Sequence, residues 1–119
     1  MLRRSAPRHF WQSVTGSLAW GETAAQAASR ELAEETGLCS VGRLTDWHHE
    51  VYFPIVAPWR KRYAPSDRVN REHWFRLGLP GRRIVRLRAG EHAQARWLHW
   101  SQAARAIRRY RPASAARAA

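Results

Sequence analysis

The sequence has little from which a disulfide framework or a membrane anchor could be built. Cys39 is the only cysteine among 119 residues, so neither an intrachain disulfide nor a cysteine metal cluster is expected. No apolar run reaches the roughly 20 residues of a membrane span, and residues 1–8 lack the apolar centre of a signal peptide. We therefore expect one small domain, no membrane partner and a cytoplasmic location.

Lysine and acidic residues are also scarce. Lys61 is the only lysine, and 9 acidic residues stand against 21 basic ones, which gives a formal net charge of +12. Most of the acids lie between residues 22 and 50, and Glu91 is the only acid after Arg76. An acidic site within a basic surface suits a polyanionic substrate carried by a metal ion. A basic nucleic-acid binder remains an alternative that we do not favour.

One helix is predicted by several local signals, over residues 24–36. Thr23 is a good N-cap, and Gln26 three residues later completes a capping-box pattern. The segment between them and Gly37 contains strong helix formers and neither proline nor glycine. Gly37 suits the C-terminus of this helix.

The remaining elements are predicted from shorter patterns. Segments with β-branched or aromatic residues are expected to be extended: residues 12–14, 41–56 (limited by Pro54), 73–77 and 83–88. The polar segment 58–71 is expected to be a loop. Ser101 is a plausible N-cap for a last helix from Gln102 to about Arg109. Residues 113–119 form an Ala-rich tail that we expect to be disordered.

Tryptophan is unusually frequent in so short a chain, with 7 residues. In a small domain such side chains lie more often in the core than against a substrate, so we expect Trp11, Trp74 and Trp97 in the core.

Three carboxylates fall on one stripe of the predicted helix. At about 100° per residue, Glu31 and Glu35 lie one turn apart, and Glu34 lies beside them. Like charges at this spacing repel and weaken a bare helix, whereas a divalent cation between them would be attracted. Hard oxygen ligands favour Mg²⁺ or Mn²⁺ over Zn²⁺. Glu34 and Glu35 alone would indicate a solvated acidic face, so the metal-site interpretation depends on the residues around them.

Those surrounding residues follow a known pattern. Five residues separate Gly16 from Glu22, and seven more lead to Arg30, within the segment GSLAWGETAAQAASRELAEETGL. This segment resembles the complete signature of the Nudix hydrolases. The resemblance implies an α/β Nudix fold with a mixed β-sheet between helices, as a single domain over residues 1–112.

The resemblance also implies roles for the residues of the signature. Water activated by a metal ion and a carboxylate base would attack a phosphorus and release pyrophosphate. Glu22 and Arg30 would brace the loop against the helix. The implied catalytic and metal-binding groups are the carboxylates of Glu31, Glu34 and Glu35, with the backbone carbonyl of Gly16 joining the metal shell.

The flanking segments resemble the bacterial Nudix enzymes that hydrolyse dihydroneopterin triphosphate, an early step of folate synthesis. The matching segments are residues 10–17, 62–65, 72–75, 91–92 and 97–98. The resemblance implies that Glu91 is a further metal ligand. It also implies a substrate site that includes Arg4, Thr15, Phe53, Pro54, Ile55 and Val56. A purine triphosphate such as dATP, or another (d)NTP, is the alternative substrate.

The chain departs from this family at both ends. The family has a strand, and the start of another, before the point that corresponds to Met1, and the resemblance fades after Trp100. We therefore expect an N-terminally truncated domain with low stability, and an inactive Nudix-like binding module remains an alternative. The sequence leaves the oligomeric state open.

Overall fold

The computed structural model describes residues 1–6, 10–57 and 59–108, which form two helices and five strands. The predicted α/β class is confirmed. The elements in chain order are β1 (Leu2–Arg4), β2 (Trp11–Gln12), α1 (Ala24–Thr36), β3 (Leu44–Pro54), a 3₁₀ turn (Trp59–Arg62), β4 (Val69–Leu77), β5 (His92–Ala95) and α2 (Trp100–Arg108). None of the described helices is long and apolar enough to cross a membrane.

Helix α1 begins and ends where the local signals predict. The Thr23 side chain accepts a hydrogen bond from the backbone N–H of Gln26, and the Gln26 side chain accepts one from the backbone N–H of Thr23. These bonds satisfy two of the free N–H groups at the start of the helix. Gly37 ends the helix in the left-handed conformation at φ 70°, which a residue without a Cβ adopts at little cost.

The described strands form two separate sheets, and every pair in them is antiparallel. In the first sheet β1 lies between β2 and β5, so that Leu2 is paired with both Gln12 and Ala95. The second sheet is a ribbon of β3 and β4 with an irregularity between Asp46 and His49. As the sequence suggests, β3 ends at Pro54.

Several predicted elements differ from the structure. Strand β4 begins at Val69, so the predicted loop is shorter than expected and contains a 3₁₀ turn. Residues 83–88 are not a strand. Their backbone groups bond elsewhere, since the Arg86 N–H donates to Thr36 O (2.9 Å) and Arg83 O accepts from Trp97 Nε1 (3.0 Å).

The last helix starts two residues before the expected Gln102. His99, rather than Ser101, precedes its first residue, and the Ala103 N–H donates to the carbonyl oxygen of His99 at 3.0 Å. The Ser101 hydroxyl lies 2.9 Å from His99 Nδ1, so it interacts within the first turn. The predicted helix end at Arg109 and the tail at residues 113–119 lie outside the described residues.

The buried core is small. Leu2, Ala27 and Leu32 are the buried hydrophobic residues among those described. An open groove of about 240 Å³ lies between α1 and the sheets, lined mainly by apolar residues that include Leu77 and Val85.

The prediction that Trp11, Trp74 and Trp97 lie in the core is wrong. Trp74 and Trp97 are 38% and 45% exposed. Trp74 stacks on Trp47 with 6.3 Å between ring centroids, and Trp11 is half-buried under the guanidinium of Arg96. These rings therefore contact side chains at or near the surface, and the sequence alone does not show which side chains these are.

Candidate active site

The structure turns one helix carboxylate inward. Glu35 lies on the buried face of α1, next to Leu32 and Thr36, and only 4% of its surface is exposed. Its Oε2 atom is buried without a hydrogen-bond partner among the described residues. Burial raises the pKa of Glu35 to about 7; the charges of Glu31 and Glu91 add to this, and a backbone hydrogen bond from Thr15 opposes it.

Glu35, Glu91 and His92 form one cluster. A ligand atom from each of the three lies within 4.8 Å of the others. The sheet creates this arrangement because β1 pairs with β5, which sets His92 opposite Arg4, and because the Ser5 N–H donates to Glu91 O at 2.9 Å. The cluster thus joins a carboxylate of the signature to the predicted acid outside it.

His92 is a site residue that the sequence did not predict. It is 6% exposed, and its Nε2 lies 3.2 Å from Nε2 of Gln12. Its Nδ1 is buried and has no hydrogen-bond partner among the described residues. Burial lowers the pKa of its imidazole. The available signal was its place beside Glu91, but without strand β5 the inward direction of the side chain was not apparent.

Glu31 lies against the glycine loop. A Cβ built on Gly16 would overlap the Glu31 carboxyl group, so a larger residue here would displace that carboxyl group. Oε1 of Glu31 accepts a hydrogen bond from Nη1 of Arg30 at 2.7 Å. The loop carrying Gly16 is thus brought directly beside a carboxylate of the signature.

Arg30 ties the same loop to the helix. Its Nε and Nη2 atoms donate to the two carboxylate oxygens of Glu22 at 2.9 and 3.0 Å, and Nη2 also donates to the Ser17 carbonyl at 2.9 Å. Glu22 in turn accepts from the Ala19 N–H at 2.7 Å. The hydrogen bonds from Arg30 lower the pKa of Glu22, and those to Glu22 and Glu31 raise the pKa of Arg30.

Glu34 faces the other way, toward an arginine that the sequence analysis did not single out. Nη1 of Arg88 donates to Oε2 of Glu34 at 2.8 Å and lies 3.6 Å from Oε1 of Glu91. Arg30 lies 3.7 Å from the second oxygen of Glu34. The three helix carboxylates therefore have three different environments.

The predicted substrate residues divide into two groups. Arg4 and Thr15 lie near Glu35, where both act to lower its pKa. The segment Phe53, Pro54, Ile55 and Val56 lies at the end of the β3–β4 ribbon, where the Ile55 N–H donates to Arg68 O at 3.0 Å. Phe53 and Val56 are 39% and 46% exposed. These four residues offer an accessible, largely apolar surface.

The cluster has the donor set of a divalent cation site. Glu35 Oε2 and His92 Nδ1 are buried polar atoms without hydrogen-bond partners among the described residues, a costly arrangement for a protein to leave unsatisfied. Glu91 adds an accessible carboxylate. Carboxylate oxygens suit Mg²⁺ and Mn²⁺, and an imidazole nitrogen suits the later divalent ions. The residues present therefore fit a metal ion.

A family model described as a NUDIX domain matches residues 1–117, so the chain belongs to the Nudix family. The dihydroneopterin triphosphate diphosphatase of Escherichia coli (strain K12) is 45% identical over 101 residues, which cover 82% of this chain and 66% of that protein. A Haemophilus influenzae protein of the same name is 40% identical over 78 residues, with 63% of this chain and 49% of that protein covered.

The solved structure of the E. coli dihydroneopterin triphosphate pyrophosphohydrolase is similar to this chain. The TM-score is 0.78 at 40% identity, over 92% of this chain and 82% of that one. The Nudix fold expected from the sequence is thereby confirmed. The matched segments span just under two thirds of the E. coli protein and about half of the Haemophilus protein.

Proposed function

We propose that this chain is a Mg²⁺- or Mn²⁺-dependent Nudix pyrophosphohydrolase that converts dihydroneopterin triphosphate into dihydroneopterin monophosphate and pyrophosphate, in the cytoplasm. The observation that carries the proposal is the buried Glu35 carboxylate, which meets Glu91 and His92 on the inner side of the signature helix. The substrate assignment is supported by the names of relatives that are 40–45% identical to this chain.

The cation would be held by carboxylates of helix α1 and by two groups outside the helix. The helix carboxylates are those of Glu31, Glu34 and Glu35, and the other two groups are the Glu91 carboxylate and the backbone carbonyl of Gly16. When bound, a divalent cation neutralises phosphate charge and makes a nearby water molecule more acidic. The clustering of carboxylates that weakens a metal-free helix becomes useful once this charge is present.

The protein's own groups would position the substrate and accept the proton. Water attacks one phosphorus, the bond from that phosphorus to the bridging oxygen breaks, and pyrophosphate leaves. Glu31 and Glu34 are the candidates to take up the proton from water, because Glu35 points into the buried cluster. Arg4, close to Glu35, would bind the phosphate chain together with Thr15.

The pterin ring would lie against Phe53, Pro54, Ile55 and Val56. This surface is partly apolar and accessible, which suits a flat heterocycle. A purine base has a similar shape, so dATP and other (d)NTPs belong in the same substrate screen.

The test is a turnover assay that uses dihydroneopterin triphosphate, dATP and GTP in the presence of Mg²⁺ or Mn²⁺. Phosphorus NMR should show pyrophosphate and the monophosphate formed in one step, with the pterin substrate turned over best. Sequential release of orthophosphate would contradict the proposal. Metal binding without turnover of any substrate would indicate an inactive Nudix-like binding module.

A further inference from the structure

His92 is a buried histidine, and among the described residues only one of its two ring nitrogens has a hydrogen-bond partner. It is the first residue of β5, opposite Arg4 on β1, and its side chain is buried. Gln12, from the strand on the other side of β1, reaches its Nε2. Gln12 thus contacts one ring nitrogen, and the other has no hydrogen-bond partner among the described residues.

The buried ring nitrogen and a buried carboxylate oxygen without partners belong to two residues of the same cluster. Arg3 Nε, Glu35 Oε2 and His92 Nδ1 are the buried side-chain atoms without hydrogen-bond partners among the described residues. Two of these three atoms belong to residues whose ligand atoms meet within 4.8 Å. A buried polar atom without a partner is costly, and an apolar side chain in the same space would avoid this cost. A ligand that binds the free ring nitrogen would offset it.

Gln12 can select the form of the imidazole that binds a metal. A neutral imidazole carries its proton on one nitrogen and a lone pair on the other. In the structure the amide nitrogen of Gln12 faces Nε2. Half a turn about the last side-chain bond exchanges the amide nitrogen and oxygen; with the oxygen toward Nε2, this ring nitrogen donates its proton and Nδ1 presents its lone pair. Metal-binding histidines are commonly oriented by such a bond from the nitrogen opposite the metal.

We propose that His92 is a metal ligand through Nδ1, that Gln12 is its positioning residue, and that this nitrogen shifts the site's preference from Mg²⁺ toward Mn²⁺ and Co²⁺. The inference rests on the proposed function in that it concerns the same metal site. Mg²⁺ prefers oxygen ligands, whereas an imidazole nitrogen favours the later divalent ions. An oxygen-only site at the same place would discriminate less between them.

The direct test uses the intact chain loaded with Mn²⁺. Pulsed electron paramagnetic resonance should show coupling of the Mn²⁺ electron spin to an imidazole ¹⁴N nucleus. The coupling should disappear in His92→Asn, which replaces the nitrogen by an amide group. It should persist in His73→Asn, because His73 is a partly buried histidine that contacts Glu50 at 3.1 Å, outside the cluster.

Calorimetric titration supplies a second measurement. His92→Asn should weaken Mn²⁺ and Co²⁺ binding about tenfold or more and Mg²⁺ binding much less. Gln12→Leu should weaken Mn²⁺ binding about tenfold, while Gln12→Glu, whose carboxylate can only accept a hydrogen bond from Nε2, should retain it. Equal losses for all three ions in His92→Asn would overturn the preference.

The wild-type spectrum alone decides whether nitrogen binds the metal, even where a variant fails to fold. Bound Mn²⁺ without ¹⁴N coupling would overturn the role of His92, even in a chain that releases pyrophosphate. The reverse result, ¹⁴N coupling lost in His92→Asn but no turnover of any triphosphate, would support the role of His92 and contradict the proposed function instead.

Discussion

At the scale of single residues, the positions of the helix carboxylates could be predicted from their spacing in the sequence only in part. Their common stripe could be predicted from about 100° per residue, but their different surroundings could not. Glu35 faces inward with Leu32, whereas Glu34 meets Arg88 at the surface. The direction of the helix relative to the sheet decides this difference, and that direction is a tertiary property. For the same reason His92 escaped prediction although the adjacent Glu91 did not.

Glu35→Gln should reduce turnover more than about a hundredfold while the fold is retained. The amide keeps the shape of the carboxyl group but cannot supply a charged oxygen to a cation. The measurement is kcat/KM for pyrophosphate release at saturating Mg²⁺, with circular dichroism as the check on folding. Glu50→Gln, which changes an acid on β3 that contacts His73, is the matched control and should keep its activity. Full activity of Glu35→Gln would exclude Glu35 from the site.

Glu35 should also make the stability of the metal-free chain depend on pH. Its pKa in the folded chain is raised from 4.5 to about 7, so the folded state retains a proton that the unfolded state has lost. The contribution of Glu35 to the free energy of unfolding should be greatest below pH 4.5 and fall as pH rises through 7, by at most about 3 kcal/mol. Urea titrations in EDTA at several pH values measure this change.

Two comparisons isolate that effect. The lowered pKa of His92 gives the opposite slope below about pH 6.5, because there the unfolded chain binds the extra proton. Glu35→Gln should therefore remove the fall in stability and leave the contribution of His92. Added Mg²⁺ should restore stability above pH 7 in the parent chain only, since metal binding requires the ionised carboxylate. A parent chain and a Glu35→Gln variant with identical pH profiles would contradict the assignment.

Arg88 should compete with the metal ion. Its guanidinium bonds to Glu34 and lies close to Glu91, so a cation bound there meets an existing positive charge. Arg88→Gln should strengthen Mg²⁺ or Mn²⁺ binding about two- to tenfold at low salt, and less at high salt. Arg86→Gln removes the same charge two residues away and should have a smaller effect. Weaker metal binding in Arg88→Gln would show that the arginine supports the site instead.

At the scale of elements, local signals and long-range pairing give different results. Helix α1 could be predicted because its cap, its composition and Gly37 are adjacent in the chain. Strand β5 could not, since it depends on pairing with β1, roughly 90 residues away in sequence. The prediction of a strand at residues 83–88 was wrong for the converse reason. They have the pattern of a strand, but Arg86 bonds to the end of α1 rather than to a neighbouring strand.

The capping box should contribute measurably to stability. Thr23→Ala removes the oxygen that accepts from Gln26, which should lower the free energy of unfolding by about 1 kcal/mol. Thr23→Ser keeps an oxygen at the same position and should lose less than about half of that amount. Urea denaturation of the three chains provides the comparison. Equal destabilisation by alanine and serine would show that the hydroxyl group has no part in the effect.

At the scale of the whole molecule, the cluster of Glu35, Glu91 and His92 is assembled although the buried apolar core is small. The first sheet, the glycine loop and α1 already bring the acidic cluster together. By contrast, only Leu2, Ala27 and Leu32 are buried apolar residues among those described, and an apolar groove stays open beside them. The prediction that Trp11, Trp74 and Trp97 lie in this core was wrong because the number of tryptophans does not show which rings lie at the surface.

Such a core should make the chain depend strongly on a single leucine. Leu32 is 8% exposed on the inner face of α1 and lines the groove, whereas Leu18 in the loop before the helix is 55% exposed. Leu32→Ala should cost about 2–5 kcal/mol, which is a large part of the roughly 5–15 kcal/mol that a small domain has in total. Leu18→Ala should stay within about 0.5 kcal/mol. Urea denaturation in EDTA, together with fluorescence of a dye that binds exposed apolar surface, distinguishes the two variants. If Leu32→Ala unfolds at the same urea concentration as the parent, the groove around Leu32 does not carry the stability of this fold.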